Sequence, residues 1–211
     1  MKKLFALLLA LILLLALSAC GQAETEETGN DEGDAPALVG GWTIPADAAV
    51  TDEAQAAFDK AMEGLVGVNY TPVALIGTQL VSGTNYCILC EAAVVYPDAV
   101  PYYALVYVYA DLQGGAEIRN IVTLDIGDIA ESGEVKAAEN APGALLGGWS
   151  VDRESSVELE DGLLHLASQV VNGTNHCVLC KGAQLVFVYE APDGACQVTG
   201  TVQLDPGALN G

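Results

Sequence analysis

The sequence predicts an α+β protein: an antiparallel sheet wrapped on one helix, duplicated, with the second copy lacking most of the helix. Three observations predict it. The block Leu38-Val39-Gly40-Gly41-Trp42 returns as Leu145-Leu146-Gly147-Gly148-Trp149, and each is followed by a Gln-x-Val-x-Gly-Thr-Asn turn and a Cys-x-Leu-Cys run. Matching blocks in matching order indicate a repeated unit. One amphipathic stripe lies between the first block and its turn, and runs rich in Val, Ile, Leu, Tyr and Thr flank and follow the turn.

In chain order, Lys2 and Lys3 precede an apolar run from Leu4 to Leu17 that ends in Ser18-Ala19-Cys20. A basic start, a short apolar stretch and small residues describe an export signal over residues 1–19. The run is too short for a membrane-spanning helix, which needs about 20 apolar residues. Leu17-Ser18-Ala19-Cys20 resembles the bacterial lipobox, which implies export, a lipid on Cys20 and anchoring at the cell surface. Residues 20–36 are rich in Glu, Thr, Gly and Asp, almost without apolar side chains, and read as a disordered acidic tether.

The first complete unit covers 37–128. Trp42 marks a short strand. Thr51 can cap a helix, with Asp52 and Glu53 in its first turn, where the helix dipole favours acids. Ala54, Ala57, Phe58, Ala61, Met62 and Leu65 then form one apolar face over about four turns, ending near Gly64 to Gly67. Strands follow at 72–79, 86–96, 102–110 and 116–126, with the Gln79-Leu80-Val81-Ser82-Gly83 turn between the first two.

Residues 129–143 read as a linker and 144–211 as the second unit. Gly41 stands 38 positions before Gln79, but Gly148 only 21 before Gln169, and the shortfall matches the helix in length. A sheet without its helix exposes an apolar face. That face is expected to pack against the first unit, or else 152–163 supplies a short replacement helix.

Charge and cysteines narrow the function. Lys and Arg number 7 against 28 acids, giving a net charge of −21, so the chain is unsuited to neutralising phosphates and nucleic-acid binding is not expected. Cys87 and Cys90, like Cys177 and Cys180, lie in apolar strands where positions i and i+3 face opposite ways, so neither a metal knuckle nor a redox pair is expected. Buried free thiols are the first expectation and a disulfide between the copies the second, with Cys196 making the count odd. The two histidines, His165 and His176, stand in no catalytic motif, so the sequence suggests neither enzyme activity nor a cofactor.

The Leu38-Val39-Gly40-Gly41 block, the helix and the turn Gln79 to Gly83 with Thr84-Asn85-Tyr86 resemble the cystatins, including the stefins, which inhibit papain-like cysteine peptidases. The resemblance implies a wedge that enters the peptidase cleft without doing chemistry. Leu38 and Val39 would fill apolar pockets, Gly40 and Gly41 would let the arm bend, and Gln79, Leu80, Val81, Ser82 and Gly83 would form the narrow tip. Gly147, Gly148, Gln169, Val170, Val171, Asn172 and Gly173 would be a second site of the same kind. The second hairpin, Leu112-Gln113-Gly114-Gly115, lacks the Pro-Trp common in the family, which leaves a non-inhibitory binding or scaffolding lipoprotein as the alternative.

Overall fold

A computed structural model describes residues 40–132 and 147–209. The signal, the tether, Cys20, Leu38, Val39 and most of the linker lie outside them. The described residues are mostly antiparallel sheet with three short helices, an α+β arrangement.

The first sheet contains β1 (Trp42–Thr43), β2 (Val68–Val81), β3 (Gly83–Val94), β4 (Tyr102–Ala110) and β5 (Ala116–Leu124), side by side in that order. Helix α1 (Asp52–Ala61) enters between β1 and β2. Thr51 caps it, its hydroxyl accepting from Ala54 N at 3.2 Å, which contributes about 1 kcal/mol. The helix is shorter than the apolar stripe predicts. Its end tightens into turns around Gly64, which has φ +83°, and Leu65 stays outside at 43 % exposure. Strand β2 starts earlier than expected because Pro72 stands at a register shift, where a sheet accommodates proline.

The second sheet holds β6 (Ser150–Val151), β7 (Gly162–Val171), β8 (Gly173–Cys180), β9 (Gln184–Glu190) and β10 (Cys196–Gln203), again in sequence order. Two helices follow the sheets, α2 (Ile126–Glu131) and α3 (Pro206–Leu209). Asp125 caps α2, accepting from Gly127 N at 2.8 Å, and Asp205 accepts from Gly207 N at 2.8 Å. The strand expected over 116–126 therefore ends at Leu124, and Asp125 and Asp205 each start a helical turn. Helix α2 also occupies the first residues of the expected linker, and its Ile129 and Ala130 pack on the core.

Strict alternation sorts the side chains between faces. In the first sheet Ile88, Cys90, Val106 and Val108 face α1, where Phe58 is buried against them. Burying a side chain of that size is worth roughly 1.5–3 kcal/mol. Cys87, Leu89, Tyr103, Leu105 and Tyr107 point the other way, into a core shared with Leu166, Cys177, Leu179, Leu185 and Phe187 of the second sheet. Two hydroxyls cross this interface: Tyr103 donates to Leu166 O at 2.9 Å and Tyr107 to Pro206 O at 3.1 Å. Satisfied this way, buried phenols cost little.

This packing corrects the expectation for the second sheet. The face it presents to the first sheet matches, by strand register, the face of the first sheet that is turned away from α1. Its other face, Val178, Cys180, Val186 and Val188, is covered by Val157 and Leu159 from the segment between β6 and β7. That segment, residues 152–161, is an irregular strap and not the replacement helix, and Leu163 and Leu164 already belong to β7. Its apolar residues are too few and too widely spaced for a helical stripe.

The sheets pack head to tail. Trp42, beside the first hairpin tip, meets Gly207, which follows the far end of the second sheet. Trp149, beside the second tip, meets Gly127, which follows the far end of the first. The two hairpin tips therefore lie at opposite ends of the described body.

Candidate functional site

The hairpin joining β2 and β3 turns in minimal space: Val81 pairs with Gly83 and only Ser82 lies between them. Gly83 has φ +128°, and a Cβ there would run into the Ala110 carbonyl oxygen and lie 2.9 Å from Tyr109 Cε2. Only glycine suits that backbone and that space. The Tyr109 hydroxyl closes the tip from beneath, donating to Ser82 O at 2.6 Å.

The glycine arm is tied to this tip. Gly40 N donates to Leu80 O at 3.0 Å, and Gln79 Nε2 donates to Gly40 O at 3.0 Å. Asn85 Nδ2 donates to Gln79 Oε1 at 2.7 Å, fixing which end of the amide faces the arm. Trp42 anchors the arm to the core edge-on against Tyr107, with ring centroids 5.9 Å apart.

The β2–β3 and β4–β5 hairpins lie at the same end, because Thr84 pairs with Ala110 and Ala110 with Ala116. In the second one Asp111 Oδ1 accepts from Gln113 N at 2.7 Å and Gly115 N at 2.9 Å, shaping a tight turn that leaves Leu112 78 % exposed. The structure thus brings Gly40, Leu80, Val81, Ser82 and Leu112 to one edge. Gln79 and Gly83 face inward there, and Gly41 is half-buried. Arg119 sits over Tyr109 at 4.7 Å from the ring centroid and pairs with Glu117 at 2.9 Å. With Trp42, Val81, Ser82 and Asn85 it lines an open cleft of about 460 Å³ below the tip. Chemically the edge offers backbone, small apolar side chains and one guanidinium, which suits occupying a groove.

The second sheet reproduces three of these side-chain bonds. Gln169 Nε2 donates to Gly147 O at 2.8 Å, Asn175 Nδ2 to Gln169 Oε1 at 2.9 Å, and Tyr189 OH to Asn172 O at 2.5 Å. Gly173 has φ +112° and sits against the Glu190 carbonyl as Gly83 does against that of Ala110. Trp149 meets Phe187 edge-on at 5.7 Å. Val170 and Asn172 are exposed, Val171 is half-buried, and Gly148 is exposed beside the arm. Gln169 is buried, more deeply than Gln79.

Sequence reading missed the roles of Asn85, Tyr109 and their counterparts Asn175 and Tyr189. The signal was present: Asn follows each turn at one spacing, and a Tyr stands next to last in β4 and in β9. The thiols lie where alternation puts them. Cys87 and Cys177 are in the core between the sheets, Cys90 under α1, and Cys180 under the strap, all as buried free thiols, while Cys196 is exposed. Burial pushes the Cys87 thiol up to about 12 despite a hydrogen bond with Tyr107. Among the described residues no group of three or more His, Cys, Asp or Glu is placed to hold a metal ion.

Compared with family models, curated proteins and solved structures, the chain matches none.

Proposed function

We propose that this chain carries one cystatin-like unit twice, the second without its helix, and that the first unit inhibits papain-like cysteine peptidases as a wedge. One observation carries the reading. The glycine arm at Gly40 is hydrogen-bonded alongside the Leu80–Gly83 tip, with the Leu112 turn at the same end. Three narrow segments on one edge, with small or apolar exposed side chains, are what a groove-filling inhibitor requires. The strand order around a single helix supports the same reading. Lipid attachment through Cys20 would hold the protein at a bacterial cell surface, behind the acidic tether.

Activity against papain tests it: the full chain, kept in mild detergent, is titrated into the enzyme with a fluorogenic peptide substrate. Stoichiometric or competitive loss of turnover is expected. Full turnover at micromolar protein overturns the reading for papain.

A second reading has its own observation. Gln79, Gly83 and Asn85 are all committed to internal contacts, and the same contacts recur at Gln169, Gly173 and Asn175. The shared letters of the two turns are thus accounted for by folding alone, which favours a binding or scaffolding lipoprotein that keeps the architecture without inhibition. The two readings separate at Leu80 and Val81, which are exposed and have no role in those contacts.

A further inference from the structure

The outer face of the second sheet holds a feature that the first sheet lacks. His165 faces Val178 in the pairing of β7 with β8, as Leu75 faces Ile88 in the first sheet. His176 pairs with Val188 as Tyr86 does with Val108, and Glu190 pairs with Thr174 as Ala110 does with Thr84. Leu75, Tyr86 and Ala110 lie in the apolar layer under α1. Where the helix is missing, two imidazoles and a carboxylate take their places.

These groups form a continuous chain of contacts. Asp152 O lies 2.5 Å from His165 Nδ1, His165 Nε2 lies 3.0 Å from His176 Nδ1, and His176 Nε2 lies 3.0 Å from Glu190 Oε2. His165 and His176 are 7 % and 4 % exposed, while the Glu190 side chain is 41 % exposed and reaches solvent. The chain ties β7, β8 and β9 to the first residue of the strap.

Counting hydrogens shows what the chain requires. A carbonyl only accepts, so the first contact needs a hydrogen on His165 Nδ1. Each of the other two contacts also needs one hydrogen. Two neutral imidazoles supply two, and an ionised carboxylate supplies none. The third hydrogen must be an additional proton, carried by either imidazole or by Glu190. Without it, one contact sets lone pair against lone pair in a buried place, and with a fourth, two hydrogens collide.

We propose that His165, His176 and Glu190 form a single-proton binding site that clamps the strap to β7, β8 and β9 in place of the absent helix, and that opens when the proton leaves. The surrounding charges are compatible with this. From the strap, Glu158 and Glu160 line an open cleft of about 530 Å³ beside His165, and Asp161 pairs with Lys181 at 3.3 Å. Burial opposes the charge on Asp152, but hydrogen bonds from Ser155, Ser168 and Glu154 outweigh it and hold that carboxyl well below its usual range, so Asp152 is not the proton's seat. The strap's cation, Arg153, is exposed and has no hydrogen bond to any member of the chain among those described. The Glu190 carbonyl packs against Gly173, so opening is felt at the second tip and not at the first.

The sign follows from linkage: the closed form holds one proton more than two neutral imidazoles and a carboxylate, so raising pH favours the open form. The test is amide hydrogen exchange on the full chain in detergent, from about pH 5 to pH 9, around the range where imidazoles titrate. Protection over 172–176, corrected for intrinsic exchange, should fall by up to about tenfold per pH unit on the alkaline side, while 82–86 stays level. Glu190→Gln supplies its own amide hydrogen to a neutral His176, so its profile should be flat. Equal profiles for the wild type and Glu190→Gln would overturn the proposal. Should that variant fail to fold, imidazole 15N spectra of the wild type decide. Three hydrogens across the three contacts support the clamp, and a bare His176 Nε2 beside an ionised Glu190 in the closed form refutes it.

Discussion

The side-chain amide of Gln79 donates to the backbone carbonyl of Gly40 at 3.0 Å, across 39 residues of sequence. Together with the Gly40 N–H donated to Leu80 O, that bond holds the glycine arm against the hairpin it accompanies, and Asn85 decides its direction by engaging the amide oxygen. Gln79→Glu should keep the side chain's size but lose the donor to Gly40 and set an acceptor against it. We expect a cost of about 1–2 kcal/mol and faster exchange of the Gly40 amide. Exchange measured by NMR checks it, and unchanged protection would show that Gly40 N→Leu80 O holds the arm unaided.

Gly83→Ala and Gly173→Ala should be equally damaging, because each Cβ would strike a neighbouring strand's carbonyl at positive φ. We expect each to cost about 3 kcal/mol or more, read as a lower urea midpoint. For folding the geometry makes them equals, so neither is a clean probe of binding.

Labelling should separate the thiols. Cys196 should react with a maleimide in the native state, while Cys87, Cys90, Cys177 and Cys180 react only on unfolding, as peptide mass mapping would show. Raising the pH to about 9 should not expose Cys87, whose thiol burial pushes up to about 12 from an ordinary value of 9.0. The unfolded chain ionises there first and binds fewer protons, so stability falls as pH climbs from about 9 towards about 12. Rapid native labelling of Cys87 would contradict the buried core between the sheets.

The two outer faces should differ in what they lose on truncation. Phe58→Ala removes a buried ring beneath α1 and should cost about 3–5 kcal/mol. Leu159→Ala on the half-buried strap should cost about 1–2 kcal/mol. Chemical denaturation of both variants checks the order, and a larger loss at Leu159 would mean the strap is the stronger cover.

Much of the fold was legible in the sequence. Thr51 with its following acids marked the start of α1, and β4 was read to the residue because its boundaries are turn residues on both sides. The packing of sheet on sheet was not legible. Tyr102 to Ala110 is apolar on both faces, so period alone does not say which face meets a helix and which a second sheet. Helices α2 and α3 were hidden because Ile126 continues the apolar strand pattern, and Gly127 and Pro206-Gly207 look like turn residues after a strand. At the site, Gln79 and Gly83 were legible as a pattern. Asn85 and Tyr109 were not, since their contacts exist only once strand register is known. The histidines were legible singly, but their chain of contacts depends on three strands being side by side.

The central claim is that the exposed tip of the first hairpin enters a peptidase cleft. The most direct measurement compares the inhibition constant for papain of the wild-type chain with that of Leu80→Asp and Val81→Asp, side chains 45 % and 39 % exposed. Both variants should fold with an unchanged urea midpoint and inhibit at least about tenfold more weakly, a loss of about 1.4 kcal/mol. Equal inhibition by all three proteins, or none by any, would contradict the wedge.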